Sequence, residues 1–375
     1  MLIFQKGPKL VFLILFIALA TLALNSNEAL ACSRVLWANN GQAVLCGRNM
    51  DWPDNTPTDL WVLPRGISRS GLISKNPLTW TSKYGSLVLA STALGKSIVC
   101  DGLNEKGLAV NALWLGKSDY GVRNEKLPGL SISLWAQYYL DNFATVDEAL
   151  RAFKNSPYQV VTLSIPVGKK LDKATLHLSL EDKSGDSAII EYINGKIVIH
   201  HDRKYLVMTN DPPFERQLSN LKQYEGFGGK KPLPGTTQAS DRFVRASYYL
   251  KYLPKPNNLR EAVAAMFSIM RNVSQPFRNT SDPKHYASAT IWRSVVDLSD
   301  NVYFFESTLS PNVVWAELNK FNLNKSAPTM KLALSNNYDL VGDVSKQAVK
   351  TQPFEFMSSE IDIKTLIKQN GGKID

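Results

Sequence analysis

Short apolar runs rich in β-branched residues, each closed by a turn signal, fill the sequence from residue 35 to 209 and return at 290–307. Runs of that length are strand-sized. The expected strands are 35–36 and 43–46, joined by a turn at Asn39-Asn40-Gly41, then 86–91 and 97–100. A turn at Asn104-Glu105-Lys106-Gly107 leads into 108–115, followed by 175–180, 188–193, 196–200 and 205–209. Asn194-Gly195 is a strong tight-hairpin signal, because both residues tolerate the left-handed backbone such a turn requires. Helical spacing appears at 130–143, and Thr145 with Glu148 forms a capping box opening a helix to Phe153. Segments 241–252 and 259–271 read as a helix pair separated by the breaker Pro254-Lys255-Pro256. Strands return at 290–297 and 302–307, and the polar tail shows no readable period. Strands, helices and strands again, without regular alternation, predict an α+β fold of mostly antiparallel sheets covered by helices. No composition break or internal repeat divides the chain, so residues 32–375 are expected to form a single domain.

With 375 residues, 44% of them hydrophobic, the chain can build a large core and needs no disulfide framework, for which three cysteines are too few. Cys46 and Cys100 lie in apolar runs and read as small core residues, or as a pair if the protein is exported. The formal charge of +10 comes from scattered Lys and Arg, densest at Lys169-Lys170 and Lys230-Lys231. Without a basic helix or interleaved aromatic residues, that charge predicts solvated surface and no nucleic-acid partner.

The first segment reads as an export leader. Lys6 and Lys9 precede an apolar stretch at 10–24, a polar patch follows, and Ala29-Leu30-Ala31 ends it. A positive start, a short apolar middle and an A-x-A end describe a secretory signal over residues 1–31, too short for a comfortable membrane span. Removal takes away two lysines and one glutamate and leaves about +9. The expected location is periplasmic or secreted, with no stable membrane insertion. The next residue is Cys32. Cleavage after Ala31 leaves it with a free α-amine; lipidation would instead anchor it, although Ala29 stands where lipidation usually wants a Leu-like residue.

An N-terminal cysteine carries both halves of a nucleophilic catalyst. The thiol needs a base to become thiolate. An α-amine, with a reference pKa of about 7.7–8.0, is such a base within a few bonds. The four histidines, His177, His200, His201 and His285, form no protease or metal-ligand pattern, and adjacent His200 and His201 point to opposite faces of a strand. No metal or cofactor is therefore expected. Gly47-Arg48-Asn49-Met50-Asp51-Trp52 follows the second strand of the first hairpin, which would return Arg48 and Asp51 to Cys32. A guanidinium there favours thiolate, and a carboxylate can orient the amine. The ordinary alternative is a surface ion pair.

These residues resemble the choloylglycine hydrolase family of N-terminal nucleophile hydrolases, which holds penicillin V acylases and conjugated bile salt hydrolases. The resemblance rests on Cys32, on GRNMDW with Arg48 and Asp51, on DGLNEKGLAVNALWL at 101–115, on MTNDPPF at 208–214 and on LPGTTQASDRFVR at 233–245. It covers roughly residues 32 to 320. It implies a four-layer αββα sandwich of two antiparallel sheets and hydrolysis of a linear amide C–N bond in a small-molecule substrate. It implies that Cys32 is nucleophile and base, that Arg48 and Asp51 flank it, that Asn210 donates to the oxyanion and that Arg242 supplies positive charge. It also implies a homo-oligomer, a tetramer. Read without it, Asn210 is as well explained as a turn former before Asp211-Pro212-Pro213. Arg242 sits where the helix dipole disfavours a cation, which hints at another task.

Trp114 replaces an Asn common in Gram-positive bile salt hydrolases, and with Trp52 it resembles the Gram-negative penicillin V acylase branch, which also includes enzymes acting on acyl-homoserine lactones. Asn210, a backbone N–H or the Trp114 indole would then serve the oxyanion. Trp52, Trp61, Trp80, Trp114 and Tyr84 are candidates for an aromatic acyl pocket, with Trp52, Trp114 and Tyr84 as the substrate-binding expectation. The leading expectation is a penicillin V acylase-like amidohydrolase. Cleavage of bile salts or acyl-homoserine lactones is the alternative within enzymes, and a lipid-anchored binding protein the alternative outside them.

Overall fold

The computed structural model describes residues 32–167, 170–224, 231–277 and 288–369; the leader 1–31, Lys169, Lys230 and His285 lie outside the described residues. In chain order the strands of the two large sheets are β1 (Ser33–Trp37), β2 (Leu45–Trp52), β3 (Thr58–Leu63), β4 (Ser86–Ala93), β5 (Lys96–Asn104), β6 (Leu108–Trp114), β7 (Leu176–Asp182) and β8 (Ser187–Ile193). They continue as β9 (Lys196–His201), β10 (Val207–Thr209), β11 (Ala289–Asp297), β12 (Val302–Ser307), β13 (Val314–Glu317), β14 (Met330–Leu332), β15 (Gly342–Asp343) and β16 (Val349–Lys350). The helices are α1 (Trp135–Asn142), α2 (Val146–Asn155), α3 (Phe214–Leu221), α4 (Ala239–Lys251), α5 (Leu259–Asn272) and α6 (Ile363–Gln369).

The first sheet has the order β10-β1-β2-β11-β12-β13-β15, and the second β9-β8-β7-β6-β5-β4-β3-β14-β16. Neighbours are antiparallel except β13 and β15. Period-2 alternation makes both sheets two-faced. Leu36 and Cys46 of the first sheet meet Leu89, Leu103 and Ile189 of the second, in a core that extends to Met266 and Met270 of α5. On the far side of the second sheet, Val110, Leu178 and Leu180 pack on Trp135 and Tyr139 of α1, Val146 of α2 and Ile363 of α6. The layers therefore run helix, sheet, sheet, helix, as the resemblance implies. Close seating of α5 on β2 depends on Gly47, where an added Cβ would stand 2.8 Å from the Met266 sulfur. Among the described residues no helix is long and apolar enough to cross a membrane.

The capping box forms: the Thr145 hydroxyl accepts from Glu148 N at 3.1 Å, and the Glu148 carboxylate accepts from Ala144 N at 2.7 Å. The helix expected over 130–143 begins only at Trp135, because residues at its start pair as strand Gly129–Ser131 with Gln159–Val161. β2 runs on to Trp52, so Arg48 and Asp51 lie within the strand and not after it. β3, β13 and α3 had no counterpart in the sequence reading.

Candidate active site

Register sets the site. Ser33 pairs with Asn49 on one side of β1 and with Thr209 on the other. One residue earlier, Cys32 is thereby placed between Met50 and Asn210. Its Sγ lies 3.9 Å from the Met50 sulfur and 3.8 Å from the Asp51 carbonyl. Its backbone N donates to the Asn210 side-chain oxygen. The Asn210 amide nitrogen donates to the Trp114 carbonyl at 2.7 Å. That leaves the second amide hydrogen as the one available for an oxyanion.

Alternation along β2 sends its side chains to opposite faces. Arg48 points between the sheets. It donates to the carbonyls of Cys100 and of Ala112, the latter at 2.7 Å, and stacks on Trp292 with its carbon 5.3 Å from the ring centre. Asp51 points toward the helices, accepting from the Thr290 hydroxyl at 2.5 Å and lying 3.6 Å from Arg242. Arg242, in the first turns of α4, turns its guanidinium toward the head of β1. It donates to Thr237 O at 3.0 Å, to Cys32 O at 2.7 Å and to the Ser33 hydroxyl. The helix-dipole mismatch has its explanation here: the cation is bonded to Cys32 and Ser33, not to the helix.

Cys32, Arg48, Asp51, Asn210 and Arg242 are all buried. Burial pushes the Cys32 thiol above its ordinary value, against the pull of Arg48 and Arg242. A neutral resting thiol therefore needs a base. Burial also raises Asp51 to about 6, although Arg242 and the Thr290 hydroxyl oppose it.

Cys32 opens onto a cleft of about 740 Å³, counting its solvent-open mouth. Trp52 and Trp114, from the ends of β2 and β6, meet edge to face at 5.6 Å on its wall. Ile98, Ile165, Leu176 and Met357 make the rest strongly apolar. Tyr84 is a correction: it lies outside this cleft, with Lys106 over its ring at 5.6 Å, because the turn before β4 carries it to the surface. Trp61 and Trp80 are also elsewhere, Trp61 against Phe354 and Trp80 against Tyr138. Cys46 and Cys100 are unpaired thiols, Cys100 on the cleft wall.

Two groups escaped the sequence reading. Asp211 accepts from Gly116 N at 2.7 Å and so ties the Asn210 turn to the end of β6. Glu191 accepts from His177 at 3.1 Å and from Phe214 N at 3.0 Å, beneath the same turn. Hydrogen bonds from His177 and His200 hold this carboxyl at about 2 despite burial. His201 faces the other way, to Asp186 at 2.9 Å. The capping of α3 by a carboxylate from a neighbouring strand leaves no trace in local spacing.

Comparisons with known proteins place the chain among amide hydrolases. The chain is 44% identical over 362 residues to the penicillin V acylase of Pectobacterium atrosepticum, covering 91% of this chain and 96% of that one. It is 25% identical over 306 residues to a bile salt hydrolase/transferase of Clostridium perfringens, covering 75% of this chain and 90% of that one. The solved penicillin V acylase of Agrobacterium tumefaciens superposes with a TM-score of 0.77 at 46% identity, over 87% of this chain and all of that one. The family model for linear amide C–N hydrolases matches residues 32–331, and the chain belongs to that family, the choloylglycine hydrolases.

Proposed function

We propose that this amidohydrolase is exported, loses residues 1–31, and uses Cys32 as its nucleophile on amides with a flat or extended apolar acyl group, as penicillin V acylases do. The observation that carries the reading is the seating of Cys32 at the junction of three things. These are a backbone nitrogen held by Asn210, an Asp51–Arg242 pair behind it, and an apolar cleft walled by Trp52 and Trp114 in front.

Once the leader is gone, the Cys32 nitrogen is an amine held in place by the Asn210 oxygen. It takes the thiol proton, and Sγ attacks the amide carbon. The carbonyl oxygen becomes an oxyanion, met by the second Asn210 N–H; such a donor typically lowers the barrier by about 2.7–4 kcal/mol. Collapse breaks the C–N bond, and the ammonium returns the proton to the departing amine. Water, deprotonated by the same amine, then hydrolyses the thioester and frees the acid. Arg242 holds the Cys32 carbonyl and so fixes the residue's backbone, while Arg48 supplies positive charge beside the sulfur. A tetramer accompanies this reading on resemblance, and light scattering of the mature protein measures it.

The test joins two measurements. Mass spectrometry of the active protein is expected to find an unmodified Cys32 at its start, and Cys32→Ser is expected to keep the circular dichroism and melting of the wild type while turnover of penicillin V vanishes. A lipid-capped terminus, or a serine variant with wild-type rates on the best substrate of a panel including bile salts and acyl-homoserine lactones, defeats the reading.

A further inference from the structure

The family match ends at residue 331, yet the cleft does not. After β16 the chain returns across the second sheet, and residues 354–358 run beside the start of β5. Ser97 N donates to Glu355 O at 2.8 Å, and Met357 N donates to Ser97 O at 3.2 Å. The hydroxyls of Ser131 and Ser133 both donate to the Met357 carbonyl, at 2.9 and 2.6 Å. Before Met357, the Phe354 ring meets Trp61 at 5.0 Å and Arg69 stacks over Phe356 at 5.2 Å. After it, the Ser358 hydroxyl donates to Leu72 O at 2.8 Å and the Ser359 hydroxyl to Val161 O at 2.6 Å. This strap is therefore bonded on both sides of Met357, whose side chain is 1% exposed and lines the cleft.

Its place in the cleft matters. Arg48 holds the Cys100 carbonyl on β5 at the Cys32 end. Ser97, to which Met357 is bonded, lies three residues back along the same strand, roughly 10 Å away. Met357 thus stands toward the far end of the apolar wall from the nucleophile. A thioether side chain is unbranched and adapts to irregular space, so its volume trades directly against that of a bound group.

We propose that Met357 is a specificity-determining residue, and that the strap carrying it sets the length and bulk of the acyl group this cleft accepts. The inference rests on the reading of the cleft as the acyl-binding site. Each further methylene that finds apolar room is worth about a fourfold gain in binding, so removing the thioether should favour longer chains step by step.

The experiment compares the wild type with Met357→Ala, Met357→Phe and Met357→Leu on butanoyl to decanoyl amides of one common amine. Met357→Ala is expected to raise the decanoyl-to-hexanoyl ratio of kcat/KM by about tenfold or more, and Met357→Phe to lower it by a similar factor. Met357→Leu, close in volume, is expected to keep the wild-type preference and shows that the strap is still seated. Ser133→Ala, which loosens the Met357 carbonyl without altering the wall, is the second variant should alanine or phenylalanine fail to fold; it is expected to broaden the length preference. Unchanged ratios in folded variants overturn the proposal while leaving the amidase reading intact. A wild type that cleaves no amide defeats the amidase reading, and the wall is then judged by calorimetric binding of the corresponding free acids, where an unchanged length preference overturns it.

Discussion

At the scale of single residues, Asp51 carries the clearest conflict between folding and chemistry. It is fully buried, and its carboxyl is raised to about 6 by desolvation in spite of Arg242 and Thr290. Unfolded, it would titrate near 3.9. Between those values the folded chain holds a proton that the unfolded chain releases. Its contribution to stability is therefore complete below about pH 4 and lost as pH rises through 6, a change of up to about 3 kcal/mol. In the proposed mechanism, the ionised form is the one that pairs with Arg242, which holds the Cys32 carbonyl, so the stability lost would be the condition for activity. On the acid side of the limb set by the Cys32 amine, kcat/KM is expected to show a second one-proton limb near pH 6, and that second limb should be absent from Asp51→Asn. The stability difference between wild type and variant, measured by urea melts, should move in favour of the wild type as pH drops from neutral to 4.5. A variant profile that keeps the limb near pH 6 assigns that limb to another group.

At the scale of elements, the site is a meeting of strand ends, and the connection most open to a test is the one between β6 and the turn after β10. Asn210 reaches Trp114 O, and Asp211 accepts from Gly116 N, so two bonds clamp Asn210, the proposed oxyanion donor, to the Trp114 wall of the cleft. Asp211→Ala removes one of them at a solvent-accessible position. It should lower kcat about tenfold, equivalent to about 1.4 kcal/mol of barrier, with a melting temperature within a few degrees of the wild type. An unchanged kcat would show that Asn210 alone holds the geometry. Much of this site can be read from the sequence, because Cys32 follows a cleavage pattern and Arg48 with Asp51 follows a hairpin of legible length. What the sequence does not mark is that β2 continues through Trp52, so that alternation sends Arg48 and Asp51, three apart, to opposite faces. Arg48 approaches from between the sheets and Asp51 from the helix side, and both come near Cys32 because it stands at the head of β1, beside Met50 of β2. Tyr84 was misplaced because aromatic content says nothing about which end of a strand a turn exposes. The strap around Met357 was illegible for a related reason: its contacts are made one residue at a time, by Phe354, Phe356 and Met357, through a single parallel bridge that leaves no period in the sequence.

At the scale of the whole molecule, two sheets must keep a fixed spacing if a residue at the edge of one is to work with residues from the other. Arg34, two places after Cys32, crosses that interface. It donates to Glu181 of β7 at 2.6 Å, to the Ser187 hydroxyl at 2.9 Å and to Tyr205 O at 3.0 Å, with both charged side chains fully shielded from solvent. On its other oxygen Glu181 accepts from Asn111 and, at 3.0 Å, from the Cys46 thiol, which burial pushes well up and so keeps protonated. A fully bonded carboxylate of this kind contributes less to stability than its short distances suggest, since two ions were taken out of water to make it. Removing one partner, however, strands the other. Arg34→Leu is therefore expected to destabilise the fold by about 3–5 kcal/mol in guanidinium melts, whereas Arg34→Leu with Glu181→Leu, which removes both ions of the pair, should recover most of that loss. The activity of the double variant separates the two roles of the pair. If it recovers stability but not kcat, the cross-link sets the distance between Cys32 and the Asn210–Trp114 wall; if it recovers both, apolar packing alone holds the sheets in working register.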